Sequence, residues 1–252
     1  MTSSSVEDYL KTIYQLQHEA AGGATWAPGG QPDVTTSALA ERLSVAPASV
    51  TSMIQRLAQV ELLIYTPYQG VHLTTEGEKL ALRVIRRHRL LELYLAERLG
   101  LSWDQVHEEA ERLEHHISAT LEEHIAAALG NPQVDPHGHP IPTVAGEVAA
   151  PPSTRLDALP VGQDAVVLSV QDNDAELLRY LAARELYPGM AVVITEREPF
   201  GGSLHLRVGS PAPGRDYTLS LAAAARVRVT GAVPASSPPA AATDPNPAPT
   251  AR

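Results

Sequence analysis

The chain has 252 residues, a formal net charge of −10 at pH 7 and no cysteine. This length holds two modest domains with linkers, and the missing cysteines exclude disulfides, thiolate metal sites and cysteine nucleophiles. No apolar run is long enough to span a bilayer, and MTSSSVEDYL lacks the basic start and apolar middle of a signal peptide, so a soluble, cytoplasmic protein with no membrane partner is expected.

Residues 6–18 place Val6, Tyr9, Leu10, Ile13, Tyr14 and Leu16 at helical spacing behind serines able to cap a first turn, which predicts a first helix. AAGGATWAPGGQPD, residues 20–33, breaks the periodicity and reads as an unusually long loop. TTSALAERL, a break at LSVAP, and ASVTSMIQRLAQVELL outline a helix-turn-helix. LIYTPYQGVHLT supplies two short β-rich runs about a turn at Pro67 to Gly70, the pattern of a wing. A helix then runs to Gly100, where glycine can take the left-handed cap conformation. A long helix is predicted from Trp103 to about Leu129, opened by a Ser102–Gln105 capping box and ended by Gly130, Asn131 and Pro132.

From 131 to about 160 prolines dominate, which predicts an extended linker. Beyond it VVLSV, AVVITE, SLHLRVG, YTLSL and ARVRVT read as strands, with one short helix from Ala175 to Arg184, the pattern of a small SH3-like barrel. The proline- and alanine-rich tail is too poor in core-forming residues to fold and is expected to be disordered. The division expected is therefore 1–80, winged helix-turn-helix; 81–150, helical with a Pro-rich linker; 155–232, the barrel; and 233–252, the tail.

Charge is unevenly spread. Residues 91–130 carry two basic and nine acidic side chains, whereas residues 1–90 are balanced at eight each, and His88, His107, His115, His116 and His124 fall in or near the acidic stretch. Within HEEAERLEHH, His107, Glu111, Glu114 and His115 are four, three and one apart, so on a helix they share roughly one face and can hold an ion. The preceding helix offers His88 and Glu92, four apart, and the first helix offers Asp8. A glutamate-rich helix face can equally be solvated surface, and Asp8 can equally complete a Ser5-x-x-Asp8 capping box.

Enzymatic motifs fail. His107-Glu108-Glu109-Ala110 is followed by Glu111 where a zincin needs its second histidine, no histidine has the glutamate three residues before it that a di-iron site needs, and no phosphate-binding loop or nucleophile elbow is present. On the second helix of the helix-turn-helix, Ser49, Thr51, Ser52 and Gln55 face outward towards DNA while Val50, Ile54 and Leu57 pack inward. None of these polar groups makes the bidentate arginine–guanine contact, so readout per copy is weak, and a homodimer on a palindromic operator of double-stranded DNA is the remedy, with recognition helices about 34 Å apart. Arg56 is expected on phosphates; Arg83, Arg86, Arg87 and Arg89 either join it or pair with acids such as Glu92. Leu91, Leu95, Leu113 and Ile117 are candidates for the dimer surface or for burial within one subunit.

VEDYLKTIYQL, ALAERLSVAPASVTSMIQRL, LTTEGEKLA, RRHRLLE, HEEAERLEHH and DPHGHPIP together resemble the diphtheria toxin repressor family of metal-dependent transcriptional regulators, over residues 4 to about 230. AELLRYLAARELYPG is similar to that family's SH3-like domain, itself similar to ferrous-iron transport protein A. The resemblance implies a mainly α N-terminal winged helix-turn-helix plus a helical dimerisation and metal-binding domain, followed by the all-β barrel. It implies a primary site of Asp8, Glu111, Glu114 and His115, and a second of His88, Glu92 and His107 completed by Asp174 or Glu176 from the barrel. Iron-sensing members have methionine and cysteine at the positions of Asp8 and Glu111; the oxygens here favour Mn2+, with Fe2+ or Zn2+ as alternatives. The short manganese regulators of the family have a glutamate where this chain has Lys11 and lack the barrel, which argues against their paired-metal arrangement. A non-enzymatic repressor of manganese and iron homeostasis genes is the function implied.

Overall fold

A computed structural model describes residues 3–20, 32–149, 151–209 and 214–231. The expected loop at 20–33 and the tail from 233 fall largely or wholly outside these residues. The chain separates into two compact units: 1–90 with 111–127 and 141–149, and 91–110 with 128–140 and 150–252. These units differ from the division read from the sequence because one helix, Thr75–Leu99, contributes to both.

The first unit opens with α1, Ser4–Ala20, whose Leu10 and Ile13 are fully buried. Ser5 lies inside this helix rather than at its cap, so the capping alternative for Asp8 does not apply. α2, Thr36–Leu43, is capped by the Thr35 side chain, which accepts from the Ala38 N–H at 3.1 Å. Ser44 then takes a left-handed conformation, turning the chain into α3, Pro47–Gln59, with Pro47 in the first turn where its missing N–H costs nothing. Leu39, Val50, Ile54 and Leu57 close the hydrophobic core between α1, α2 and α3; burying each such side chain contributes about 1.5–3 kcal/mol. β1, Leu63–Thr66, and β2, Gly70–Leu73, form the antiparallel wing in the register Leu63↔Leu73. Gly70 sits at φ +139°, and a Cβ there would lie 2.5 Å from the Val34 carbonyl oxygen, so only glycine lets β2 bridge to Val34.

α4, Thr75–Leu99, ends where expected, with Gly100 at φ +71°. The single long helix expected from Trp103 to Leu129 is instead two, α5, Val106–Leu113, and α6, Ala119–Ala128. Ser118 makes the break: its hydroxyl accepts from the Leu121 N–H at 3.2 Å and its carbonyl from the Glu122 N–H at 2.9 Å, starting a new helix.

The extended linker is also corrected. In the second unit, Asp135 accepts from the backbone N–H groups of His137 and His139 at 2.8 and 2.9 Å, folding 135–139 into a tight turn. The His137 carbonyl accepts from the Val170 N–H at 2.9 Å, and a Cβ on Gly138, at φ +87°, would lie 2.0 Å from the Leu168 carbonyl oxygen. The turn is thus docked on the barrel. Ile141 is buried, and Val148 packs on the core of the first unit.

The barrel contains β3, Thr154–Arg155, β4, Asp164–Val170, α7, Ala175–Ala182, β5, Ala191–Arg197, β6, Leu204–Val208, β7, Arg215–Leu219, α8, Leu221–Ala224, and β8, Val227–Gly231. The sheet order is β3-β8-β4-β5-β6-β7, with antiparallel neighbours and register shifts in β4 and β5 that bend the sheet. Alternate residues such as Val167, Ile194, Leu204 and Leu206 point to a common core that includes Leu178 and Leu181 of α7. No helix among the described residues is long and apolar enough to cross a membrane.

Candidate metal centre

α1 carries Asp8 and Lys11 one turn apart, and the turn after α5 carries Glu114 and His115 towards them. One ligand atom from each of Asp8, Glu114 and His115 lies within 4.8 Å of the others. His115 Nε2 is 2.8 Å from Asp8 Oδ1 and 3.5 Å from Glu114 Oε1, while its Nδ1 is 2.7 Å from Glu7 Oε2. A ring held by a carboxylate at one nitrogen and aimed at two more with the other is how imidazole is oriented for a cation. The donor set therefore fits a divalent ion. Burial raises the Asp8 pKa against the lowering effect of His115; burial opposes protonation of His115, but Glu7 and Asp8 outweigh it and raise its pKa. Both shifts follow from gathering acids in one partly dry place. Sequence reasoning missed Glu7, although one position before Asp8 on α1 was its only available signal.

A second cluster, His88, Glu111 and Glu114, abuts the first and shares Glu114 with it. Lys11 lies in it: the ammonium is 2.6 Å from Glu111 Oε1, 2.8 and 3.0 Å from the Glu114 oxygens and 3.1 Å from His88 Nδ1. His88 Nδ1 is also 2.6 Å from Glu114 Oε2. Burial favours the neutral amine, but Glu114 and Glu111 prevail and raise the Lys11 pKa. The site brings its own monovalent cation to the place from which the long carboxylates reach. Of the four primary residues expected, Asp8, Glu114 and His115 converge directly, and Glu111 meets them through Lys11 and His88.

In the second unit Glu92 is fully buried, with Oε1 3.1 Å from His107 Nδ1, and His107 lies 4.0 Å from Asp172 Oδ2. The barrel carboxylate expected here is corrected. Asp174 caps α7, accepting from the Glu176 and Leu177 N–H groups, and Glu176 is exposed on the first turn, whereas Asp172, two residues earlier, reaches the cluster. The helix start claims the side chain at 174, and the strand end at 170 delivers the one at 172.

Ser49, Thr51, Ser52, Gln55 and Arg56 are all exposed on α3, with Val50, Ile54 and Leu57 buried behind them. Thr51 donates its hydroxyl to the Pro47 carbonyl at 3.1 Å. Ser49, Ser52 and Arg56, with Ala48 and Met53, line a shallow open depression. In the basic patch Arg86 and Arg87 pair with Glu122, at 2.9 and 3.1 Å, and Arg83 is exposed. Leu91 and Leu95 are buried within the chain, while Leu113 is exposed and Ile117 half-buried.

Three family models match in succession: the iron dependent repressor N-terminal DNA binding domain over residues 1–71, the iron dependent repressor metal binding and dimerisation domain over 74–143, and the FeoA domain over 154–231. The iron-dependent repressor IdeR of Mycobacterium leprae (strain TN) is 33% identical over 210 residues, covering 78% of this chain and 86% of that protein. The HTH-type transcriptional regulator MntR of Bacillus subtilis (strain 168) is 38% identical over 118 residues, covering 47% and 75%. Among solved structures, a manganese-dependent transcriptional repressor complex with manganese superposes with a TM-score of 0.80 at 36% identity, covering 90% of this chain and 100% of that one. ScaR with bound Cd2+ gives 0.73 at 30%, covering 90% and 99%. From its DNA-binding helices through its metal-binding segment to its SH3-like barrel, the chain belongs to the diphtheria toxin repressor family of metal-responsive transcriptional repressors, which are not enzymes.

Proposed function

We propose that this protein is a cytoplasmic, Mn2+-activated repressor of manganese and iron homeostasis genes that binds a palindromic operator as a homodimer, with Asp8, Glu111, Glu114 and His115 as its primary cation site. The convergence of Asp8 from α1 with Glu114 and His115 from the turn after α5, with Glu7 orienting the imidazole, carries this reading. A bound divalent cation supplies the positive charge that offsets repulsion among these carboxylates. Asp8 then holds α1 to the turn, and because Leu10 and Ile13 of α1 are part of the core under α3, restraining α1 restrains the surface that carries Ser49, Thr51, Ser52, Gln55 and Arg56. Metal and operator affinity strengthen each other by linkage. The oxygen-rich donors favour Mn2+ over softer ions, in keeping with the manganese-dependent repressor structure above. The exposed Leu113, and Leu121 on α6, are offered to a second copy.

The test is operator binding by Glu111→Ala and His115→Ala with Mn2+ added: both are expected to lose metal-dependent affinity, and unchanged affinity removes the primary site. Iron activation, favoured by the IdeR relative, is the outcome if Fe2+ at cellular concentration supports binding and Mn2+ does not; Zn2+ belongs in the same titration.

A further inference from the structure

The tip of the wing presents an aromatic ring at a twofold disadvantage. Tyr68 is fully exposed, so its ring gains nothing from burial, and its backbone is left-handed, with φ +67°. The turn from Thr66 to Gln69 is closed by the Gln69 N–H donating to the Thr66 carbonyl at 3.1 Å, and Pro67 fixes the position before Tyr68. That leaves Tyr68 where such a turn favours glycine or asparagine. A bulky side chain kept in that conformation and out in solvent marks a place where the strain is offset by a contact made outside the chain.

The wing holds this ring firmly. Val34 brackets β2 through two hydrogen bonds with Val71, at 2.8 and 2.9 Å, and Gly70 lies tight against the Val34 carbonyl. His72 Nδ1 is 2.8 Å from Asp33 Oδ1, and the buried Gln17 of α1 donates its amide to the Pro32 carbonyl at 3.1 Å, so residues 32–34 tie β2 to α1. On the side of β1, the Leu62 N–H donates to the Leu57 carbonyl at 3.0 Å and the Thr74 N–H to the Leu62 carbonyl at 3.1 Å, which joins the wing to the end of α3. α3 and the wing are one rigid piece, so the macromolecule that α3 engages is the one offered to the tip.

Charge decides the kind of contact. Residues 60–74 hold no lysine or arginine, and His72 is tied to Asp33. The wing therefore adds none of the cation–phosphate attraction that dominates DNA affinity. A tyrosine offers instead an apolar ring face for a deoxyribose and a hydroxyl that can donate to a phosphate oxygen.

We infer that Tyr68 is a DNA-backbone contact at the tip of the wing, donating its hydroxyl to an operator phosphate beyond those reached from α3 and adding affinity that salt does not screen. The inference rests on the proposed DNA-binding role of α3, which does not itself involve the wing.

A duplex is selected from a random-sequence pool with the Mn2+-loaded full-length chain, and its affinity for the parent, Tyr68→Phe, Tyr68→Gly and Arg56→Ala is measured over a series of salt concentrations. Tyr68→Phe is expected to bind about tenfold more weakly, the loss of one hydrogen bond to a charged group. Tyr68→Gly is expected to bind more weakly still, and both should keep the parent's slope of log affinity against log salt. Because glycine suits the turn, Tyr68→Gly should melt no lower than the parent, which separates a lost contact from a lost fold. Ethylation interference should lose one phosphate signal in Tyr68→Phe that Arg56→Ala retains. Parental affinity in either Tyr68 variant overturns the inference, as does a loss accompanied by a changed salt slope or by an unchanged interference pattern. Weakened binding by Arg56→Ala in the same series upholds the role of α3 whatever Tyr68 does, and a pool that yields no bound duplex removes both.

Discussion

Replacing Lys11 by methionine removes a buried charge while keeping most of the side chain's length. Its ammonium faces two carboxylates at 2.6 to 3.0 Å, and the residue is only 4% exposed. At an effective dielectric of about 20, each contact at that range is worth roughly 6 kcal/mol of attraction. Most of this is offset by desolvation, and removing one partner of a buried pair typically costs about 3–5 kcal/mol because the other charge is stranded. Here Glu111 and Glu114 are left facing each other beside His88. Urea unfolding of metal-stripped Lys11→Met should therefore show a midpoint lower by roughly 1.5–2.5 M for a slope of about 2 kcal/mol per M. Added Mn2+ should recover more stability in the variant than in the parent, since a divalent ion relieves the repulsion that the ammonium relieved. An unchanged or higher metal-free midpoint would refute the assignment of Lys11 as the internal counter-charge.

Gly138→Ala places a methyl group 2.0 Å from the Leu168 carbonyl at a left-handed φ and should lower metal-free stability by about 1–3 kcal/mol, read by thermal melting; an unshifted melt contradicts the docking of the turn. Arg56→Ala should weaken operator binding similarly for all sequences and reduce the salt slope of log affinity by about one, whereas loss of sequence preference at one base would assign Arg56 to base readout. His18 is half-buried in the last turn of α1 and its pKa lies below 6.5, chiefly through desolvation. Protonation thus favours the unfolded chain: the stabilising contribution is complete above pH 6.5 and declines as pH falls through the folded pKa. Denaturant midpoints at pH 7.5 and 5.5 should fall less in His18→Gln than in the parent.

The helix-turn-helix and wing were legible because their signals are local: apolar spacing, Pro47 at a helix start and Gly70 at a turn. Glu114 and His115 were legible as residue types at ligand spacing, and Asp8 as their partner through the family resemblance. The helical-wheel argument that put His107, Glu111, Glu114 and His115 on one face was wrong in two respects: Glu114 and His115 lie in a turn after α5, and His107 meets Glu92 instead of joining them. Ser118 as a cap inside HHISATLEE is a weak signal beside so much helix-forming sequence. Proline content made residues 131 to about 160 read as a linker, and what orders the 135–139 part is non-local: Asp135 closing a turn, and Gly138 admitting the Leu168 carbonyl. Asp172 against Asp174 could not be settled from spacing, because both flank the same helix start and only the N-cap geometry separates them.

Both oxygens of Glu114 are committed twice over, Oε1 to Lys11 and towards His115, Oε2 to Lys11 and His88. A carboxylate bound on two sides behaves as a hinge pin between them: whatever is altered at position 11 or 88 changes how strongly the same oxygens can draw in a divalent ion beside Asp8. Substitutions across this pair of clusters should be strongly non-additive, and attempts to retune the metal threshold will have to move several residues together.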